Sequence, residues 1–386
     1  LPARAGIARN KIAAAVDGRF SAAVFSSLQI LAEPRNASSS VAVAVCLIGL
    51  GSNLGDRAHS LHRALASLRS HPRLNVAAVS TFHETQAVGG PGKQAAFLNA
   101  AATIITDLPP TDLLAILLET EQKLGRAPAQ RWSARIIDLD LLLYSDQIIS
   151  TPTLTVPHPR LAIRRFVLEP AVEIAQDMRH PQFGWTLGQL LRHLHTAANY
   201  VAITGPILEE PSRLTETVSQ GIATHRIQTR AFRERLFAAH TDSAGLGLKT
   251  QLEFLDKCVA KLAEAMQRGS EWLVTDFWLC ELLVHARMLL GRADRRRYEE
   301  VWQAQSREGV PPKLIVYLDR PAEDVQRTKS HLAGGYSMRP PQFAKELQRE
   351  VMKPGRGPYL ALDVADLDRA CIEVEAAVQA MGESHG

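Results

Sequence analysis

Cysteine is scarce: Cys46, Cys258, Cys280 and Cys371 are spread over 386 residues, with no C-x-x-C pair among them. That spacing excludes a disulfide framework and a cysteine-rich zinc module, and reduced thiols in a cytoplasmic protein are the simplest expectation. Excess charge is equally slight. The 44 basic and 40 acidic side chains leave +4, too little to argue for a nucleic-acid or membrane-surface partner, so neither is expected. No apolar run reaches the roughly 18 residues that a bilayer-spanning helix requires.

What is present is an ordinary globular composition, in a chain longer than one hydrophobic core usually organises, so two or three domains are expected. The first forty residues are rich in Ala, Ser and Arg, with acids only at Asp17 and Glu33. Such a composition can imitate an organellar transit peptide. Residues 1–42 are nevertheless expected to be a leader, either disordered or contributed by an upstream-extended start.

The apolar run 41–50 stops at Gly51-Ser-Asn-Leu-Gly55 and reads as a buried strand entering a turn. Leu61, Leu65 and Leu68 then recur at helical spacing. Strands follow over 76–82, 97–105 and 136–144, and a second helix over 113–124 takes Thr111 as its N-cap. This β-α-β-β-α-β order suits an α+β ferredoxin-like domain over 43–197, with helices covering one face of its sheet and a short helix near 187–194. From 198 to 386, helical stretches alternate with apolar strands at 200–205, 272–275, 314–318 and 359–362. That alternation predicts an α/β domain with a parallel, doubly wound sheet.

The most informative chemistry lies in Arg131-Trp-Ser-Ala-Arg-Ile-Ile-Asp-Leu-Asp140. Residues two apart on a strand share a face, so Asp138 and Asp140 project together while Ile137, Leu139 and Leu141 enter the apolar side. Two carboxylates this close repel unless a cation neutralises them, and hard oxygens suit Mg²⁺ bound jointly with phosphate. An isolated D-x-D more often marks only the solvated face of an edge strand. Here Arg126, Arg131, Arg135, His158, Arg160, Arg164 and Arg165 surround it, and guanidinium forks match phosphate oxygens.

Gly51-Ser-Asn-Leu-Gly-Asp-Arg57, Phe97-Leu-Asn-Ala100, Leu124-Gly-Arg126, the 131–140 stretch, and Val156-Pro-His158 through Arg164-Arg-Phe166 together resemble the 6-hydroxymethyl-7,8-dihydropterin pyrophosphokinases. The resemblance implies diphosphate transfer from the co-substrate ATP to the pterin, in folate biosynthesis. It implies two Mg²⁺ ions on Asp138 and Asp140, with Arg126 and Arg135 acting beside them in catalysis. Glu121, Arg126, Arg131, Trp132, Arg135, His158 and Arg164 would bind ATP. Thr85, Val88, Phe97, Asn99 and Phe166 would bind the pterin.

From Tyr200 onward the chain is similar to deoxynucleoside kinases, through Tyr200-Val-Ala-Ile-Thr-Gly-Pro206, Thr250-Gln-Leu-Glu-Phe-Leu255, Val274-Thr-Asp-Phe277 and Pro312-Lys-Leu-Ile-Val-Tyr-Leu-Asp319. This implies a P-loop kinase-like fold, with Gln251 near a base and Asp276 near the phosphates. The loop Gly205-Pro-Ile-Leu-Glu-Glu-Pro-Ser212 lacks the second glycine and the lysine of G-x-x-x-x-G-K-[ST]. The domain is therefore expected to be catalytically silent, with self-association through it as a further expectation. A bifunctional enzyme that also phosphorylates deoxynucleosides and a non-catalytic pterin or nucleotide sensor are the alternative readings.

Overall fold

The computed structural model describes residues 43–89, 94–126, 134–207, 209–222, 224–229, 234, 247–269, 271–308, 311–319, 341–363 and 365–382. These described residues divide into two compact units, the first comprising those from 43 to 194 together with 379–382, the second those from 195 to 378.

The first unit is built on an antiparallel sheet. Its strands are β1 (Ala44–Ser52), β2 (Leu74–Val79), β3 (His83–Thr85), β4 (Phe97–Thr106) and β5 (Asp138–Tyr144), in the order β2-β4-β1-β5, with β3 also pairing β4. Helix α1 (Arg57–Ser70) starts where the Asp56 carboxylate accepts the His59 N–H at 2.9 Å. Its Leu61, Leu65 and Leu68 join Ile48, Leu50, Ile104, Leu139 and Leu141 of the sheet, and Leu113 and Leu117 of α2 (Pro110–Lys123), in one apolar cluster.

Thr111 is not the N-cap of α2. Pro109 takes that position, Pro110 opens the helix, and the Thr111 hydroxyl donates to Asp112 at 3.3 Å. A proline at the first helical position has φ already set and no N–H to leave unsatisfied, which outweighs a hydroxyl cap. The sheet's second face is covered as well, where helices on one face alone were expected. Helix α3 (Arg165–Ala175) packs against β4 and touches β1 and β3, and its buried Leu168, Ala171 and Ala175 are not members of the α1–α2 cluster. The sheet is therefore covered on both sides. Pro170 inside α3 hid this helix from a reading based on breakers.

The stretch read as a single strand over 76–82 divides at Ser80. The Ser80 hydroxyl accepts the Ala101 N–H at 2.9 Å, and pairing with β4 resumes only at His83↔Asn99. Ser80 to His83 takes three steps where Ala101 to Asn99 takes two, so one extra residue forms a bulge. Beyond β5 come the short strands β6 (Ile149–Ser150) and β7 (Thr155–Val156), a 3-10 turn at Leu161–Ile163, and α4 (Leu187–Thr196).

The second unit holds β8 (Tyr200–Thr204), α5 (Glu209–Gly221), β9 (His225–Ile227), α6 (Leu248–Gln267), β10 (Leu273–Thr275) and α7 (Leu279–Leu289). It continues with α8 (Arg292–Glu308), β11 (Leu314–Asp319), α9 (Pro341–Val351), β12 (Tyr359–Asp363) and most of α10 (Leu367–Met381). The sheet runs β12-β11-β8-β10-β9 with parallel pairings. Val201, Ala202, Ile203, Val274, Ile315 and Val316 are fully buried, which is why these strands read as continuous apolar runs. At Gly205 a Cβ would lie 2.9 Å from Leu318 Cβ and 3.2 Å from its carbonyl oxygen, so only glycine allows that approach. Among the described residues no helix is long and apolar enough to cross a membrane.

His180, in the first unit, is buried and stacked on Phe183 at 4.2 Å between ring centroids. Burial drives its imidazole down from the ordinary 6.5 to about 3. Between those values the unfolded chain takes up a proton that the folded chain refuses, so stability is lost as pH falls from about 6.5 toward 3, by about 1.4 kcal/mol per pH unit. His180→Phe keeps a ring on Phe183 and is expected to flatten that slope in denaturant titrations at pH 7, 6 and 5. An unchanged slope would assign the acid sensitivity to other groups.

Candidate active site

Sheet register places the candidate groups in one row. Gly51 of β1 faces Asn99 of β4 on one side and Asp138 of β5 on the other, and Gly49 faces Ala101 and Asp140. Directly paired residues share a face. Ile48, Leu50, Ala100, Ala102, Leu139 and Leu141 lie in the core cluster, so Asn99, Asp138 and Asp140 project from the other face. The glycine matters here: a Cβ at Gly51 would stand 3.1 Å from Asn99 Oδ1.

Asp138 sits among cations. Its Oδ1 accepts from Arg135 Nη1 at 2.6 Å and lies 3.1 Å from Arg126 Nη1. Arg164 Nη1 is 3.9 Å from Asp140 Oδ2. Despite the two guanidinium groups, Asp138 is held above the usual carboxylate range, by burial first and by the Asp140 charge second. Asp138 and Asp140, two carboxylates side by side on one face, make a site suited to a cation that relieves their repulsion. Among the described residues no three His, Cys, Asp or Glu side chains gather into a metal cage, so an ion here would need further oxygens from a ligand such as phosphate.

Glu121 of α2 is buried, and its Oε1 accepts the Leu139 N–H at 2.7 Å and pairs with Arg126. Burial, the largest influence, raises its carboxyl above the ordinary value. It braces Arg126 and β5 from below. His158 donates its N–H to Leu142 O at 2.9 Å, and its Nδ1 accepts the Arg160 N–H at 3.1 Å. Desolvation, then the charges of Arg164 and Arg160, push this imidazole down to about 3. It is neutral at pH 7, with Nδ1 occupied as acceptor and the proton on Nε2, a donor suited to an anion.

Asn99 Nδ2 donates to Thr85 Oγ1 at 2.7 Å in a buried contact. Phe97, half-buried, pairs with Thr85 across β3 and β4. Phe166 lies in the first turn of α3 with the Arg164 guanidinium 5.5 Å from its ring centroid. Val88 is half-buried three residues past β3. Arg131 and Trp132 fall outside the described residues. Arg165 is turned to Glu169, at 2.9 Å.

Asn53, inside the Gly51–Arg57 motif, has a role that the motif alone does not reveal. It is buried, its Oδ1 accepts the Arg135 N–H at 2.7 Å, and its own N–H donates to Arg135 O at 3.0 Å. This reciprocal pair fixes the backbone of Arg135, and a polar residue following a buried strand was the available signal. In the second unit, Gln251 is buried on α6. Asp276 follows β10 and accepts from Ser212 Oγ at 2.7 Å and from the Thr229 N–H at 2.8 Å.

The family model described as 7,8-dihydro-6-hydroxymethylpterin-pyrophosphokinase (HPPK) matches residues 47–176. A 2-amino-4-hydroxy-6-hydroxymethyldihydropteridine pyrophosphokinase of Bacillus subtilis is 45% identical over 134 residues, 35% of this chain and 80% of its own length. The Synechocystis protein of the same name is 36% identical over 159 residues, 41% of this chain and 80% of its own. A deoxyadenosine kinase structure from M. mycoides covers 45% of this chain and 95% of its own, at 14% identity and a TM-score of 0.35. That likeness is too faint to carry an argument.

Proposed function

The chain belongs to the 7,8-dihydro-6-hydroxymethylpterin-pyrophosphokinase family, and from that premise we propose how its residues divide the reaction. The enzyme transfers diphosphate from ATP to 6-hydroxymethyl-7,8-dihydropterin in folate biosynthesis, leaving AMP. The hydroxymethyl oxygen bonds to the β-phosphorus, the bond from that phosphorus to the oxygen kept by AMP breaks, and the hydroxyl proton is released. Such transfer is mostly positioning plus electrostatics.

Asp138 and Asp140 fit Mg²⁺, as two hard carboxylates on one face whose mutual repulsion a cation relieves. Bound there, Mg²⁺ supplies neutralisation of phosphate charge and a more acidic hydroxyl; we assign two ions to the pair. Arg126, Arg135 and Arg164 offer planar forks to the phosphates, and His158 offers its Nε2–H. Arg131 and Trp132 complete the ATP set, with Glu121 bracing Arg126. The Asn99 amide, turned by Thr85, reads the pterin edge, while Phe97, Phe166 and Val88 wall the ring.

The observation that carries this reading is the register row Asn99–Gly51–Asp138. Two strand spacings, about 10 Å, separate the pterin reader from the phosphate chemistry, a span that a bicyclic ring with its hydroxymethyl arm bridges. Asn99→Ala is expected to weaken pterin binding by about 1–3 kcal/mol, since it strands the Thr85 hydroxyl and removes a buried polar partner, with ATP affinity unchanged. Calorimetry with each ligand checks this, and equal pterin affinity in the variant would refute the pocket. AMP rather than ADP as product, from Mg-ATP and the pterin, tests the activity itself.

For the fold, the order β2-β4-β1-β5 supports a ferredoxin-like first unit. We read the second unit as a P-loop kinase-like fold without activity, retained for packing or self-association, in a cytoplasmic enzyme.

A further inference from the structure

Strand β3 is three residues long and, among the described residues, pairs only with β4. It nevertheless carries Thr85, whose hydroxyl sets the Asn99 amide. The bulge before it leaves the Thr81 N–H outside the ladder. That N–H donates to Glu173 Oε2 on α3 at 2.8 Å, the Thr81 hydroxyl donates to the same carboxylate at 2.8 and 3.0 Å, and His83 Nε2 lies 2.5 Å from Glu173 Oε1. One carboxylate thus gathers a backbone amide, a hydroxyl and an imidazole from the edge leading into Thr85. Hydrogen bonds to a charged acceptor are the stronger kind. Glu173 also stands seven residues, two helical turns, beyond Phe166, so both lie on the same side of α3.

We infer that Glu173 is a positioning residue of the pterin pocket: it locks the Thr81–Thr85 edge to α3, so that the Thr85 hydroxyl holds Asn99 in its reading orientation and Phe166 keeps its place on the same helix. The inference rests on the assignment of Asn99 and Thr85 to the pterin. Neither Glu173 nor Thr81 touches a reacting atom, so their effect falls on pterin affinity and not on the chemical step. Gln at 173 keeps the shape but turns an N–H₂ toward donors, so it restores only part of the clamp.

In the full chain, Glu173→Ala is expected to raise the Kd for the pterin about tenfold, with kcat and the KM for ATP within about twofold of the parent. Glu173→Gln falls between the two. Thr81→Val is expected to weaken pterin binding alone but to add little to Glu173→Ala, because both remove the same clamp. An unaffected pterin Kd in Glu173→Ala, beside a weakened Asn99→Ala, overturns the inference alone. A uniform loss of kcat and of both affinities, with a lowered Tm, makes Glu173 a structural anchor only and also overturns it. An unaffected Asn99→Ala brings down the pocket assignment and this inference with it.

Discussion

Asp140→Ala is expected to lower AMP formation by about a thousandfold or more, leaving the fold intact. On β5, Asp138 and Asp140 leave the apolar face to Leu139 and Leu141. Nothing in the core depends on the Asp140 carboxylate, which is 38% exposed and has Arg164 3.9 Å away. Its removal costs little stability, since so exposed a pair contributes at most about 1 kcal/mol. What would disappear is one of the two hard ligands proposed for Mg²⁺, and with it the neutralisation of charge on the moving phosphoryl group. Asp138→Ala is expected to be as inactive but harder to interpret, because it also releases Arg126 and Arg135. Product analysis, with Tm and circular dichroism as fold controls, decides the matter. Turnover within about tenfold of the parent in a folded Asp140→Ala protein would remove the metal assignment.

The second large effect expected is a null result: the Asp140→Ala chain, freed of its own pterin chemistry, should form no ADP from Mg-ATP with any deoxynucleoside. In the loop from β8 to α5, the helix opens with Glu209 and Glu210 where a phosphate cradle would present positive partial charge. A carboxylate 4 Å from a phosphate charge opposes it by about 1 to 4 kcal/mol, depending on the effective dielectric. Pro211 has no N–H to donate. Ser212, the surviving hydroxyl of the motif, is buried and donates to Asp276 Oδ2 at 2.7 Å. Asp276 Oδ1 accepts from the Thr229 N–H at 2.8 Å and its hydroxyl at 3.0 Å. The groups that would meet Mg²⁺ and phosphate are thus tied to one another inside the unit. Deoxynucleotide formation at about 1–100 per second, the ordinary range for kinases, would refute the silent reading and restore the bifunctional one.

The sequence by itself determined the pieces whose signal is local. Alternation in Ile137-Asp-Leu-Asp-Leu141 put two carboxylates on one side of a strand, because strand side chains repeat every two residues. The helical spacing of Leu61, Leu65 and Leu68 marked α1, and unbroken apolar runs marked the buried parallel strands of the second unit. The lack of a second glycine and of a lysine in Gly205-Pro-Ile-Leu-Glu-Glu-Pro-Ser212 was likewise readable from residue types alone. Local pattern failed where two local signals competed, as when Thr111 lost its capping position to a proline, and where a side chain took a backbone group's place, as when Ser80 substituted its hydroxyl for a rung of the ladder. Only the folded chain decided which distant residues meet. Gly51 faces Asn99 and Asp138 because two hydrogen-bonded ladders, 48 and 87 residues apart in sequence, share one register. Asn53 finds the backbone of Arg135, Glu121 props Arg126 and Leu139, and Glu173 collects Thr81 and His83 across the bulge. Each is a polar side chain whose partner is fixed by sheet register and helix packing. A partner chosen by geometry across more than 80 residues, as at Asn53 and Glu173, leaves no periodicity in the sequence to be read.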